Sequence, residues 1–179
     1  IKLVSVFRDT YLSVSDNGLY NKINQAYFLG GPEQAVEALN RNLDLQIDDF
    51  ATFNWKAVVD AVNILGGVDV ELSKAEFYYI NAYITETVEA TGVGSYQLKQ
   101  AGLNHLDGVQ AVAYARLRKM DTDFARTERQ REIIDLCFQK LKKSDFAVVN
   151  NVMEAVFPQI LSSVTIDDII PAARNLTKY

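Results

Sequence analysis

The sequence predicts an α/β domain in which helices cover a β-sheet, in an α/β or α/β/α layered arrangement, and three observations predict it. Short stretches of alternating apolar residues recur between longer stretches whose apolar residues fall three and four apart, the periods of strand and helix. Gly-Gly pairs, prolines and Asx-rich turns punctuate these stretches, with no internal repeat and no low-complexity linker. The 179 residues are 49% hydrophobic and 23% charged, a composition that supports one packed domain and not a disordered chain.

The elements follow in order. Residues 2–7 read as a strand ending at Arg8-Asp9-Thr10, and Asp16-Asn17-Gly18 forms a turn. Gly30-Gly31-Pro32 opens a helix, with Pro32 suited to its first position and Ala35, Val36, Leu39 and Leu43 as its apolar face. Leu43, Leu45 and Ile47 alternate as a short strand would. Trp55, Val58, Val59, Val62 and Leu65 are spaced as a helix that Gly66-Gly67 ends, and residues 68–72, VDVEL, alternate as a strand. Residues 73–94, with Phe77, Tyr78, Tyr79 and Tyr83, fit a helix or a loop excursion. Asp107 and Gln110 have capping-box spacing and open a short helix through Val109, Val112 and Ala113. A long helix covers residues 123–142, another covers 144–157 and stops at Pro158, and a last helix is expected after Thr165.

Composition narrows the function. A single cysteine excludes an internal disulfide and a multi-cysteine metal site, and Cys137 lies in an apolar helical pattern, as a buried core thiol does. His105 sits in a turn-like segment and reads as a structural histidine. A Ser/His/Asp or Cys/His nucleophile would have to use these two residues, and nothing places them together. The net charge of −5 argues against general nucleic-acid binding, which leaves a basic footprint. No apolar run approaches the roughly 20 residues that span a bilayer. The chain starts at Ile1 inside a strand-like pattern, so it is expected to be a fragment whose upstream part is missing.

Within this acidic chain, residues 114–132, YARLRKMDTDFARTERQRE, concentrate Arg116, Arg118, Arg126, Arg129 and Arg131. Tyr114, Arg116 and Arg118 alternate with Ala113, Ala115 and Leu117, which reads as a helix handing over to a short strand that aims both arginines at one place. Arg126, Gln130, Ile133, Cys137 and Leu141 form a stripe at spacings of three and four, which turns Arg126 and Gln130 toward the interior or a cleft at its edge. Arg126 lies near a helix N-terminus, where the macrodipole attracts anions. Three arginines meeting at about 7 Å repel by about 2 kcal/mol per pair at an effective dielectric near 20. A bound anion reverses that, since each charge-assisted hydrogen bond returns roughly 1.5–3 kcal/mol, and arginine's planar fork suits phosphate oxygens. The ligand expected from the residues is a phosphate or diphosphate. The competing reading is a solvated helix face in which Asp121, Asp123, Glu128 and Glu132 pair the arginines.

The motifs RDTY at residues 8–11, NKINQAYFLGG at 21–31, NILGGVDV at 63–70, LDG at 106–108, YARLRK at 114–119 and DFARTERQ at 123–130 occur in the order seen in LytR-CpsA-Psr proteins, and the chain resembles that family up to about residue 141. The resemblance implies a mixed central β-sheet flanked by helices in α/β/α layers. It implies a single catalytic domain over residues 1–179 that lacks its upstream strands and N-terminal membrane anchor. The implied activity is that of a phosphotransferase on the extracytoplasmic face of the membrane, in mostly Gram-positive bacteria. It moves an anionic glycopolymer, teichoic acid or capsular polysaccharide, from an undecaprenyl-diphosphate carrier to peptidoglycan. Carried over by motif, Arg8, Arg116, Arg118, Arg126 and Gln130 would hold the diphosphate at the mouth of a hydrophobic polyprenyl pocket. Arg129 matches the same pattern as a further substrate ligand.

The sequence departs from the family in having Phe7 before the Arg-Asp pair, where Pro is usual, and in lacking the family's upstream metal-binding aspartates. Asp9 and Asp123 remain as candidates for Mg²⁺ (or Mn²⁺) ligation or as a base, each with the alternative of orienting an arginine or capping a helix. Metal binding by this fragment alone is expected to be weak. The implied chemistry needs no protein nucleophile, because a sugar hydroxyl attacks phosphorus. The expected cost of losing Arg118 exceeds that of losing Arg129. Val58, Val59, Val62 and Leu65 with Val149, Val152, Met153 and Val156 are expected to wall an apolar channel that starts at Ile133, Cys137 and Leu141. The competing arrangement is that these helices pack and close the core. Two other functions fit the arginines: a non-catalytic binder of polyprenyl diphosphates or anionic polymers, and a transcriptional attenuator. The absence of a helix-turn-helix signal and of a basic surface counts against the second.

Overall fold

The computed structural model describes residues 4–118 and 122–165, with the backbone alone at Asp123. The fold is α/β, and the described residues fall into two compact units, one built from those up to Thr52 and from Leu161 to Thr165, the other from Phe53–Ile160.

In the first unit, β1 (Tyr11–Ser13) pairs antiparallel with β2 (Tyr20–Lys22) across the predicted turn. Helix α1 (Asn24–Leu43) is broken at Gly30 and Gly31, whose dihedrals are non-helical, so the helix restarts at Pro32 as expected. Val14, Ile23, Ala26 and Ala38 make a small core that Leu12 and Leu39 cover. Asn42 on α1 ties down β1, its amide donating to the Ser13 carbonyl at 2.8 Å and its side-chain oxygen accepting the Ser13 N–H at 3.1 Å. Strand β3 (Ala51–Phe53) pairs with β6 (Ile160–Ser162).

Two expected strands do not form here. Residues 4–7 are not a strand; the Thr10 N–H turns back to the Phe7 carbonyl at 2.9 Å, and no described strand lies beside them. Leu43, Leu45 and Ile47 alternate but are not a strand either. Asp44 adopts the left-handed conformation (φ 52°) at the end of α1, and the Asn40 side chain takes the Ile47 N–H at 2.8 Å. Local side-chain bonding outcompetes a ladder there.

The second unit follows the predicted order more closely. Helix α2 (Trp55–Ile64) is capped by Asn54, whose side chain accepts the Ala57 N–H at 2.7 Å. Strand β4 (Val68–Leu72) is buried on alternate residues and pairs antiparallel with β5 (Gly102–Leu106). The ambiguous residues 73–94 hold helix α3 (Lys74–Thr91), opened by a capping box between Ser73 and Glu76. The Asp107–Gln110 capping box opens α4 (Gly108–Arg116) as expected, with both reciprocal bonds at 2.9 Å. Helices α5 (Asp123–Lys143) and α6 (Phe146–Val156) complete the unit, and Pro158 lies in the short 3-10 turn that ends α6. The helix expected after Thr165 lies outside the described residues.

Val59, Val62, Val68, Val70, Leu72, Ile80, Ile84 and Ile133 share one core with the apolar residues of α4. Each fully buried aliphatic side chain contributes roughly 1.5–3 kcal/mol. Two glycines of the recognised motifs make this packing possible. Gly67 is left-handed (φ 75°), and a Cβ there would meet the Leu106 carbonyl oxygen at 2.7 Å. Gly108 presses onto α2, where a Cβ would lie 2.1 Å from the Val59 carbonyl oxygen, while its N–H donates to the Asn63 side chain at 2.7 Å. The Asn63, Gly67 and Gly108 positions of NILGG and LDG are thus occupied in joining α2, β5 and α4. Gly108→Ala is expected to destabilise the unit by about 2–3 kcal/mol, because backbone cannot yield to the added methyl. Urea denaturation followed by the fluorescence of Trp55, the single tryptophan, measures it; an unchanged midpoint would contradict the close approach.

Candidate functional site

The candidate site is the junction at the end of α4, residues 115–118, with the α5 side chains that meet it. Arg116 is the last residue of α4, and Leu117 follows with extended dihedrals (φ −52°, ψ 130°) and no exposure. The expected strand through Arg116 and Arg118 is therefore absent. Arg116 ends a helix, Leu117 alone is extended, and Arg118 is exposed beyond it. The alternation in sequence arises because Leu117 is buried as a plug at the helix end, and not from a pleat.

Arg116 is held by three elements of side-chain chemistry. Its guanidinium carbon lies 3.7 Å from the centre of the Trp55 ring and 5.9 Å from that of Tyr83. One terminal nitrogen donates to Thr87 Oγ1 at 2.8 Å, and the other lies 3.3 Å from a Glu86 carboxylate oxygen. Burial pulls the pKa of Arg116 down, and the charges of Glu86 and Tyr83 oppose that shift. Arginine remains the cation in every case. Beside this cradle is a cleft of about 480 Å³ walled by Phe53, Asn54, Trp55, Lys56, Ala90 and Thr91. Trp55→Ala should loosen Arg116, a stack of this kind being worth about 0.5–2 kcal/mol. A threefold to tenfold weaker affinity for inorganic pyrophosphate, with Trp55→Phe intermediate, is the expected calorimetric result; equal affinities would show that the stack does not place Arg116.

Arg129 is the most buried of the motif arginines, 4% exposed. It donates to the Leu117 carbonyl at 2.8 Å, contacts Glu76 at 3.3 Å and has its guanidinium carbon 5.9 Å from the centre of the Tyr114 ring. Tyr114 donates its hydroxyl to Glu132 at 2.8 Å, and burial together with that bond raises its pKa well above the usual phenol range. Gln130, expected to face inward, is exposed, and its amide reaches the Ala115 carbonyl at 3.4 Å. The inward stripe of α5 keeps Arg126, Ile133, Cys137 and Leu141 as expected, but Arg129 takes the inward place expected of Gln130. Arg129 and Ile133 are buried, while Arg126, Leu136 and Cys137 are half-buried. Arg129 therefore belongs to the packed side of α5, which the expectation of a substrate ligand did not anticipate.

Arg116, Arg118, Arg129 and Gln130 come together around residues 115–118, with Arg126 one turn before Arg129 on α5. Arg8 and Asp9 lie in the other unit. Both are exposed; Asp9 lies 3.3 Å from Lys22 and 3.6 Å from Arg8, and the Arg8 carbonyl accepts the Asn24 N–H at 3.2 Å. Asp123 opens α5, and its side chain lies outside the description. Among the described residues no three His, Cys, Asp or Glu side chains converge as a metal site. Asp9 already faces two cations, Arg8 and Lys22, so the described residues do not fit Mg²⁺ or Mn²⁺. Cys137 is half-buried, with burial raising its pKa, and His105 is exposed and bonded to Asp69 at 2.7 Å. Neither is set up as a nucleophile.

Of the expected channel walls, Val59, Val62 and Ile133 belong to the core, with Val58 and Cys137 packed on it, while Leu65, Leu141, Val149, Val152 and Met153 are half-buried. Residues missed by the sequence reading are Trp55, Glu76, Glu86 and Thr87. Only Glu76 carried a signal, the Ser73-x-x-Glu76 spacing of a capping box.

An α/β unit whose motif arginines gather at one helix end defines the class of protein. The chain belongs to the LytR_cpsA_psr family, whose sequence model matches residues 1–179. It is 32% identical over 178 residues to the Bacillus cereus (strain AH820) protein named polyisoprenyl-teichoic acid–peptidoglycan teichoic acid transferase TagU, covering 98% of this chain and 54% of TagU. It is similar to a solved structure described as TagT bound to LIIa-WTA, with a TM-score of 0.73 at 27% identity over 96% of this chain and 61% of that one. It is also similar to the Enterococcus faecalis protein EF0465, described as a transcriptional regulator, with a TM-score of 0.73 at 27% identity over 97% of this chain and 59% of that one. The chain spans 36% to 54% of the length of curated relatives it matches.

Proposed function

We propose that this chain is part of a phosphotransferase that moves an anionic glycopolymer of the teichoic-acid or capsular class from a polyprenyl-diphosphate carrier to peptidoglycan, on the extracytoplasmic face of the membrane. The single observation that carries the reading is the junction at residues 115–118. Two arginines flank a buried leucine whose carbonyl is fixed by a third, in a chain without a described nucleophile. TagU's name and the TagT complex support the same substrate class.

In the proposed step, a hydroxyl oxygen of the acceptor sugar bonds to the phosphorus next to the glycan. The bond from that phosphorus to the bridging oxygen breaks, and polyprenyl phosphate leaves with the electron pair. The acceptor proton passes to solvent or to a base. Arg116 and Arg118, with Arg126 and Gln130 nearby, would bind the diphosphate and stabilise charge on the leaving phosphate. No described helix is long and apolar enough to cross a membrane.

The test is reconstitution with a synthetic polyprenyl-diphosphate-linked glycopolymer and peptidoglycan. Release of polyprenyl phosphate together with polymer bound to the sacculus is the expected result. Binding of the lipid without release would favour the non-catalytic module, and neither would remove both readings.

A further inference from the structure

We propose that Arg129 is a positioning residue. It fixes where Arg118 leaves α4 by tying the Leu117 carbonyl to the N-terminus of α3 through Glu76. The proposal rests on the diphosphate-binding reading above and assigns to Arg129 a different task from the one its motif suggests.

The geometry is a strut across three helices. Leu117 is fixed at each of its groups: the side chain is 0% exposed, the N–H donates to the Tyr114 carbonyl, and the carbonyl accepts from Arg129 at 2.8 Å. The next residue is Arg118, which is exposed. On its other side Arg129 meets one Glu76 oxygen at 3.3 Å. The second Glu76 oxygen accepts the Ser73 N–H at 2.9 Å and the Ser73 hydroxyl at 2.8 Å. Glu76 is therefore immobilised by its own capping box before it engages Arg129. The Arg129 side chain is 5% exposed, so a ligand approaching from solvent meets almost none of its guanidinium. Two separate terminal nitrogens address the two acceptors, Leu117 and Glu76, a fork that a lysine ammonium does not reproduce. A ligand arginine presents its fork outward, whereas this one is turned onto a backbone carbonyl and a half-buried carboxylate.

A double-mutant cycle with inorganic pyrophosphate as the calorimetric probe separates positioning from ordinary stability. Glu76→Gln keeps the capping box, since glutamine serves at that position, and removes the charge that holds Arg129. It is expected to weaken pyrophosphate binding about tenfold in the parent background and less than about twofold in the Arg118→Ala background. Arg129→Lys is expected to behave like Glu76→Gln. Asp145→Ala removes the cap of α6, where the Asp145 side chain accepts the Val148 N–H at 2.9 Å, and touches neither Glu76 nor Arg129; it should lower the melting temperature and leave affinity within about twofold. Equal losses in both backgrounds, no loss, or a matching loss from Asp145→Ala would each overturn the positioning role while leaving the diphosphate reading standing. A folded parent chain that binds no pyrophosphate would instead overturn the diphosphate reading and this proposal with it.

Discussion

Arg118→Ala is expected to lower the rate of glycopolymer transfer about a hundredfold while the protein stays folded. The loss corresponds to about 3 kcal/mol of transition-state stabilisation, the scale of removing one preorganised donor from a developing oxyanion. The side chain is exposed and follows the buried Leu117, so its truncation leaves the core intact. Exposed substitutions of this kind shift stability by no more than about 0.5 kcal/mol. Arg118→Lys should recover only part of the rate, because a point charge does not reproduce two parallel bonds to phosphate. Transfer assays and thermal melts on the same preparations give the answer. A folded variant with the parental rate would remove Arg118 from the reaction, and a lowered melting temperature would move it into the scaffold.

Much of the second unit was legible because its signals are local. Asp107 and Gln110 bond within four residues, Gly66-Gly67 ends α2 by its own dihedrals, and VDVEL buries alternate residues as its pattern says. The first unit was less legible because its short strands depend on partners. Residues 43–47 alternate as well as any strand, yet Asn40 and a left-handed Asp44 settle the matter. The site divides in the same way. The arginines are visible in sequence as a run, but their separate tasks are set by residues far along the chain. Glu76 lies 53 positions from Arg129, and Thr87 lies 29 from Arg116. On α5, Arg129 and Gln130 are neighbours separated by about 100° around the axis, and a stripe of spacings three and four accommodates either. Side-chain polarity cannot choose between them, because the choice of the charged one depends on a half-buried carboxylate from another helix.

That distant carboxylate makes Arg129→Ala the substitution with the largest expected effect on folding. It should destabilise the Phe53–Ile160 unit by about 3–5 kcal/mol, the range for removing one partner of a buried ion pair. The Arg129 and Glu76 side chains are 5% and 13% exposed, so water does little to solvate the carboxylate left behind. The Leu117 carbonyl would lose its donor in a residue that is 0% exposed, which adds to the cost. Stabilities of domains lie at about 5–15 kcal/mol, so a loss of this size takes up a large part of the total. The expected ranking thus splits by observable: Arg118 dominates the reaction rate, and Arg129 dominates stability. Urea unfolding followed through Trp55 measures the second. The double variant Arg129→Met, Glu76→Leu should regain most of the loss, since an apolar pair of similar volume removes the stranded charge instead of exposing it. If Arg129→Ala unfolds within about 1 kcal/mol of the parent, the guanidinium is not holding Leu117 and Glu76 together. It would then be counted again among the residues that face the ligand.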